Sequence, residues 1–185
     1  SRNDCHRLPL MVLGTNGRCA MLRVNADWHL HSRYVALLAA NLNRNFPEDR
    51  QIMLARLRAW VVYQGYSQQV ALDGLEQFGF DYRGGAWWRF QMLAGQGEHI
   101  VLQVRAFMLP DPANTVVFQA ERLYRLSGKN ELADDQAITL VIRPDVEDRN
   151  FHQCTKAFTG PEHLWPAAVK AWDNGFRFGP SPDHA

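Results

Sequence analysis

Residues 143–152 read Arg-Pro-Asp-Val-Glu-Asp-Arg-Asn-Phe-His and lie just beyond a predicted strand. Loops at strand ends present functional groups from a rigid scaffold, and Arg149, Asn150 and His152 supply donors and acceptors suited to a hydroxylated ligand. The plainer reading, a salt-bridged surface loop, fits the same side chains and is the more frequent outcome. Trp87 and Trp88, with Trp60 and Tyr82, offer flat apolar surface of the kind that stacks on the C–H faces of sugar rings. Strand alternation turns one of Trp87 and Trp88 inward, so at most one of the pair is free to bind.

Other candidates are weaker. His29 and His31 flank Leu30 and would share one strand face, but Cys5, Cys19 and this pair reproduce no zinc-site spacing. They are read as structural or surface histidines, and neither a metal nor another cofactor is expected. The adjacent acids Asp134-Asp135 and Glu147-Asp148 point to opposite faces on a strand, so neither makes a catalytic pair. The chain carries no nucleophile elbow, no phosphate-cradling glycine loop, no dinucleotide fingerprint and no His-Glu-x-x-His helix.

These residues need a scaffold, and the composition provides for one. A chain of 185 residues with 46% hydrophobic and 21% charged side chains suits one soluble domain, large enough to bury a core without disulfide or metal. Net charge is +1, which argues against a polyanion footprint, so nucleic acid is not an expected partner. Among the 20 basic residues only Lys129, Lys156 and Lys170 are Lys; Arg suits polar planar or polyhydroxylated ligands, although a GC-rich genome explains the same bias. Three cysteines at irregular spacing form no disulfide framework, which fits a cytoplasmic location, and no apolar run is long enough for a membrane span.

Periodicity predicts strands. Residues 99–109 alternate Ile100, Leu102, Val104, Ala106 and Met108 against more polar neighbours, a period-2 pattern. Segments 52–63, 66–72, 86–93, 115–126 and 136–143 read similarly, with turns at Gly65, 81–85, 95–97, 110–114 and 127–130. Segment 34–42 suits a buried strand or one buried helical turn. A helix is predicted after Gly160-Pro161-Glu162, carried by Leu164, Ala168, Val169 and Trp172 and stopped at Asp173-Asn174-Gly175. Six to eight short strands point to an all-β antiparallel sandwich with one short C-terminal helix over residues 1–175, followed by a linker or tail at 176–185.

Five stretches also carry a resemblance. Arg143-Pro144 with Arg149-Asn150-Phe151-His152 resembles the end of the N-terminal domain of bacterial and archaeal glycogen debranching enzymes of the amylo-α-1,6-glucosidase type. Arg33-Tyr34 through Ala40, Asp49-Arg50 through Leu57, and Met108-Leu109-Pro110 with Asn114-Thr115-Val116-Val117 are similar to further motifs of that family, in the expected order. Leu13-Gly14-Thr15-Asn16-Gly17 is similar to an early family motif. The chain departs from the pattern at Val35, where His is common, at Asn150, where Asp is usual, and at Asp111, which replaces a turn glycine.

The resemblance implies a sandwich of the supersandwich, galactose mutarotase-like type, preceding an α/α toroid that hydrolyses α-1,6 branch points in glycogen. The catalytic carboxylates would lie in the toroid, for which 185 residues leave no room, so the chain is expected to be a non-catalytic domain of a longer cytoplasmic enzyme. Arg33, Tyr34, Trp87, Trp88, Arg149, Asn150 and His152 are the candidates for α-glucan contact or the domain interface. The alternatives are a free-standing glycogen-binding module, or a sugar epimerase; for the latter, adjacent Glu98 and His99 face opposite ways on a strand.

Overall fold

A computed structural model describes residues 10–43, 45–46, 49–82, 85–110, 113–124, 130–154 and 165–179. The chain first lays down β1 (Met11–Thr15), β2 (Met21–Asn25), β3 (Ala36–Asn41), β4 (Arg50–Tyr63) and β5 (Tyr66–Gln69). A 3-10 turn at Leu72–Gly74 leads to a second sheet of β6 (Leu75–Asp81), β7 (Gly85–Gly95), β8 (Glu98–Met108) and β9 (Val116–Leu123). The chain then returns to the first sheet as β10 (Thr139–Asn150). One helical turn, α1 (Trp165–Ala168), and a hairpin of β11 (Val169–Trp172) and β12 (Gly175–Phe178) follow.

The first sheet runs β1-β2-β3-β4-β10, with β5 also paired to β4, and the second is the meander β6-β7-β8-β9. Every strand-to-strand ladder is antiparallel. The two sheets pack face to face as an all-β antiparallel sandwich. Val12, Leu22, Val24, Leu37 and Val61 of the first sheet meet Leu75, Trp88, Phe90, Met92, Ile100, Leu102 and Val104 of the second in one core. In β8 the alternation noted in the sequence is the inward face, with Ile100, Leu102, Val104, Ala106 and Met108 all buried.

Hairpin connections follow from residues that accept positive φ. Gln64 (φ 45°) and Gly65 (φ 82°) form the two-residue turn between β4 and β5, and Gln96 (φ 51°) with Gly97 (φ 82°) does the same between β7 and β8. Positive φ at both central residues matches the right-handed twist of the flanking strands.

Three expectations require correction. The segment 143–152 is not a loop beyond a strand, because β10 continues to Asn150 along nearly the whole length of β4. Pro144 is tolerated because β10 lies at the sheet edge, and the register shifts on either side of Val146 absorb the irregularity. The helix expected over 161–172 is helical only at 165–168, its earlier part lying outside the described residues. Asp173 and Asn174, read as a helix stop, are the turn of the β11–β12 hairpin, in which Trp172 pairs with Gly175. The short apolar run fits either period, and tertiary packing decides: Phe176 and Phe178 line an apolar groove of about 660 Å³ with Leu54, Leu57, Ile142 and Pro144. The expected boundary at 175/176 therefore falls within β12, and residues 180–185 lie outside the described residues.

Candidate functional site

The first sheet keeps a second, smaller apolar cluster on the face turned away from the other sheet. Met21, Ala36, Ala39 and Ile52 are buried there, and Phe151 packs on them as the chain leaves β10. The Phe151 N–H donates to the Arg50 carbonyl (2.8 Å), which extends the β10–β4 ladder by one residue and seats the ring. The Tyr34 ring lies 4.8 Å from Phe151 and 5.8 Å from the exposed His152 ring, the latter edge-on. The Arg33 guanidinium sits 4.9 Å above the Tyr34 ring, Arg23 lies 6.0 Å from the same ring, and Arg50 lies 6.0 Å from Phe151. Cations at these distances are held by the negative faces of the rings.

Arg149 holds the two halves together. Its Nη2 donates to the Arg33 carbonyl (2.7 Å), its Nη1 to the Gln153 carbonyl (2.8 Å), and its Nε to the Glu147 carboxylate. With its side chain only 11% exposed, Arg149 is a positioning residue and has little surface left for a ligand. Asn150 is also occupied: its amide donates to Asp49 (3.1 Å), while its side-chain oxygen accepts from the His152 N–H (2.9 Å) and shapes the turn. The Arg33 guanidinium is raised from its ordinary value, first by its side-chain hydrogen bond to Tyr34 and then by one to Cys154, so it is cationic at any physiological pH. Cys154 and Cys19 are both exposed free thiols, and Cys5 lies outside the described residues.

A shallow groove of about 430 Å³ adjoins this cluster and shares Arg23 and Arg50 with it. Met11, Leu13, Thr15, Asn16, Cys19 and Met21 complete its lining. Its volume is within the range of small-ligand sites, and apolar walls with a few convergent polar groups are the usual make-up of such sites. At its rim Arg50 donates to the Cys19 carbonyl (2.7 Å). Asn16 accepts from the N–H groups of Arg18 and Ala20 (3.0 Å each) and donates to Asn114 (3.1 Å), which in turn donates to the Asn41 carbonyl (3.1 Å). The two motif asparagines thus tie the β1–β2 turn, the end of β3 and the approach to β9 into one frame.

The tryptophans separate as alternation requires. Trp88 is the inward member: it is fully buried, donates its indole N–H to the Ala26 carbonyl (2.9 Å) and packs 4.9 Å from Trp28. It has no face to offer a ligand. Trp87 is half-buried on the outer face of the second sheet, with Arg89 at 5.6 Å and Gly79 against its indole. Arg33, Tyr34, Arg149, Asn150 and His152 are therefore brought together, whereas Trp87 belongs to a different sheet. Phe151, Arg23 and Arg50 were missed as site residues, although Phe151 and Arg50 lie inside stretches that carried the resemblance.

The chain is thus an antiparallel sandwich of all-β class, with an aromatic and guanidinium cluster beside an apolar groove. The family model described as glycogen debranching enzyme N terminal matches residues 11–185. The chain belongs to that family. Neither the curated proteins nor the solved structures give a match. Among the described residues, no helix is long and apolar enough to cross a membrane.

Proposed function

We propose that the chain is the non-catalytic N-terminal domain of an enzyme that hydrolyses α-1,6 branch points in glycogen, packing beside a catalytic α/α toroid and offering Tyr34, Arg33 and His152 to the glucan. The observation that carries this reading is the family match over residues 11–185; two of the stretches that carried the resemblance, 33–34 and 149–152, also meet in one cluster. The chemistry at the cluster favours binding. A glycosidase needs two carboxyl groups about 5–10 Å apart across a bond, one as acid and one as base or nucleophile. Here Asp49 is engaged by Asn150 and Glu147 by Arg149. A half-buried Tyr34 ring flanked by exposed Arg33 and His152 suits a neutral hydroxylated ring, with stacking on the aromatic face and donors at its edge. The apolar groove beneath the β11–β12 hairpin is the surface best suited to a neighbouring domain.

Electrophoresis of the chain through glycogen-containing gel tests the binding. Retardation is expected, and Tyr34→Ala should weaken it by about 2–10-fold, the worth of one aromatic stacking contact. Retardation that survives Tyr34→Ala but is lost in Trp87→Ala would move the glucan to the outer face of the second sheet and favour the free-standing binding module. Release of glucose from a branched limit dextrin by the chain alone would overturn the non-catalytic reading.

A further inference from the structure

We propose that Asp27, His29 and His31 form a binding site for a first-row divalent transition metal, with zinc the best-suited ion. One ligand atom from each of the three residues lies within 4.8 Å of the others. The histidines alternate in sequence, but what makes the group a site is Asp27, which the turn between β2 and β3 folds back upon them.

The turn is held from below. Trp28 takes the left-handed conformation (φ 62°) and drives its ring inward against Trp88 at 4.9 Å and Phe118 at 5.9 Å. Anchoring the residue between them fixes Asp27 and His29 on either side. Buried Asn25 donates to the His29 carbonyl (2.8 Å), and Asp27 Oδ1 accepts the His29 N–H (3.0 Å). The other carboxylate oxygen, Oδ2, then faces His31 Nε2 at 2.5 Å and His29 Nδ1 at 3.8 Å, with the two imidazole rings 5.9 Å apart. His29 Nδ1 also lies 2.9 Å from the Asp27 carbonyl. An ion would take His29 Nδ1, the ring atom that already faces Oδ2, in place of that carbonyl.

Metal–nitrogen distances of about 2.0–2.1 Å place tetrahedral ligands about 3.4 Å apart, so small side-chain rotations close the group around an ion. Two imidazoles and a carboxylate suit zinc, copper or nickel, whereas magnesium and calcium want oxygen ligands. The imidazoles are 62% and 60% exposed, so water completes the coordination and the ion exchanges freely. The site lies two residues before Arg33, on the connection that delivers Tyr34, and a bound ion braces that connection. The inference stands apart from the glucan reading.

Calorimetric titration of zinc chloride into the metal-free, tag-free chain tests it. One equivalent should bind with micromolar affinity. His31→Ala and Asp27→Asn should each weaken binding by about tenfold or more, since loss of even an outer partner of a metal ligand costs about 10–100-fold. His29 and His31 are exposed, so the double variant His29→Ala/His31→Ala should keep the wild-type circular dichroism spectrum and lose binding. Cys19→Ser/Cys154→Ser should bind as the wild type does. Absence of binding at millimolar zinc, or equal affinity in the double histidine variant, would overturn the proposal.

Discussion

Trp88→Phe removes the indole N–H that meets the Ala26 carbonyl deep in the sandwich and shrinks a ring wedged between Trp28 and Phe78. Leaving a buried carbonyl without its donor costs about 1–3 kcal/mol. The indole exceeds the phenyl ring by about 40 Å³, and at roughly 24 cal/mol per Å³ of residual cavity this adds about 1 kcal/mol. A total loss of about 2–4 kcal/mol is therefore expected. Trp87→Phe is the control at the neighbouring position: its ring is half-exposed and its main polar contact is the Arg89 cation, so the loss should stay within about 1 kcal/mol. Urea denaturation followed by far-ultraviolet circular dichroism separates the two, because with m about 2–3 kcal/mol per M the Trp88 variant should lower the midpoint by about 1 M at unchanged m. Equal midpoints for the two variants, or a Trp88→Phe loss below about 1 kcal/mol, would refute the assignment of inward and outward faces.

Asp145 receives Arg56 at 2.7 Å and Arg58 at 2.6 Å. Burial acts to raise its carboxyl, but hydrogen bonds from Arg58 and Arg56 outweigh burial and leave it below the ordinary carboxylate value. The folded-state value is thus depressed, so the stabilisation is present above the unfolded value of about 3.9 and is lost as pH falls through the folded one. Asp145→Asn should lower stability by about 1 kcal/mol at pH 7 after solvent screening, with the gap closing in thermal melts as pH falls below the unfolded value; a pH-independent gap would count against it. Gly85→Ala should cost about 1–3 kcal/mol, because a Cβ there would come within 2.5 Å of the Ala106 carbonyl oxygen in the neighbouring strand, and an unchanged melting temperature would show that β7 and β8 can part.

The legible parts of the fold are those where burial falls on one face only. β8 shows its period because its inner residues fill the core while Gln103, Arg105 and Phe107 on the other face are less buried. β3 has no such alternation, as both faces are covered: Leu37 enters the main core while Ala36 and Ala39 join the outer cluster. That is why 34–42 left strand and helix open. The β11–β12 hairpin was misread because Leu164, Ala168, Val169 and Trp172 match a helical stripe, and only the apolar groove that Phe178 helps to line distinguishes the two. At the candidate site, Arg149 and Asn150 were legible as hydrogen-bonding residues, but not that their capacity is taken up by Arg33, Glu147, Gln153 and Asp49. Asp27 escaped notice as a partner of the histidines because the turn at Trp28 depends on a core pocket built by Trp88 and Phe118, far along the chain.

Contacts over one sheet bring together stretches far apart in sequence. β4 pairs with β3 along one edge and with β10 along the other, and Gln51 pairs with both Ala40 and Asn150, so the segment after β10 lies level with the end of β3 and a gap along the strands separates it from the segment before β3. Tyr34 and Phe151 close that gap over the outer face of the first sheet, and Arg149 reaches a carbonyl 116 residues earlier in the chain. A motif at 149–152 without its counterpart at 33–34 would be a polar strand end with an exposed histidine. Joined across β4, the same residues become an aromatic floor with guanidinium groups above it, beside a groove that the β1–β2 turn completes. The cluster thus exists only where the two stretches meet, and each supplies one wall of it.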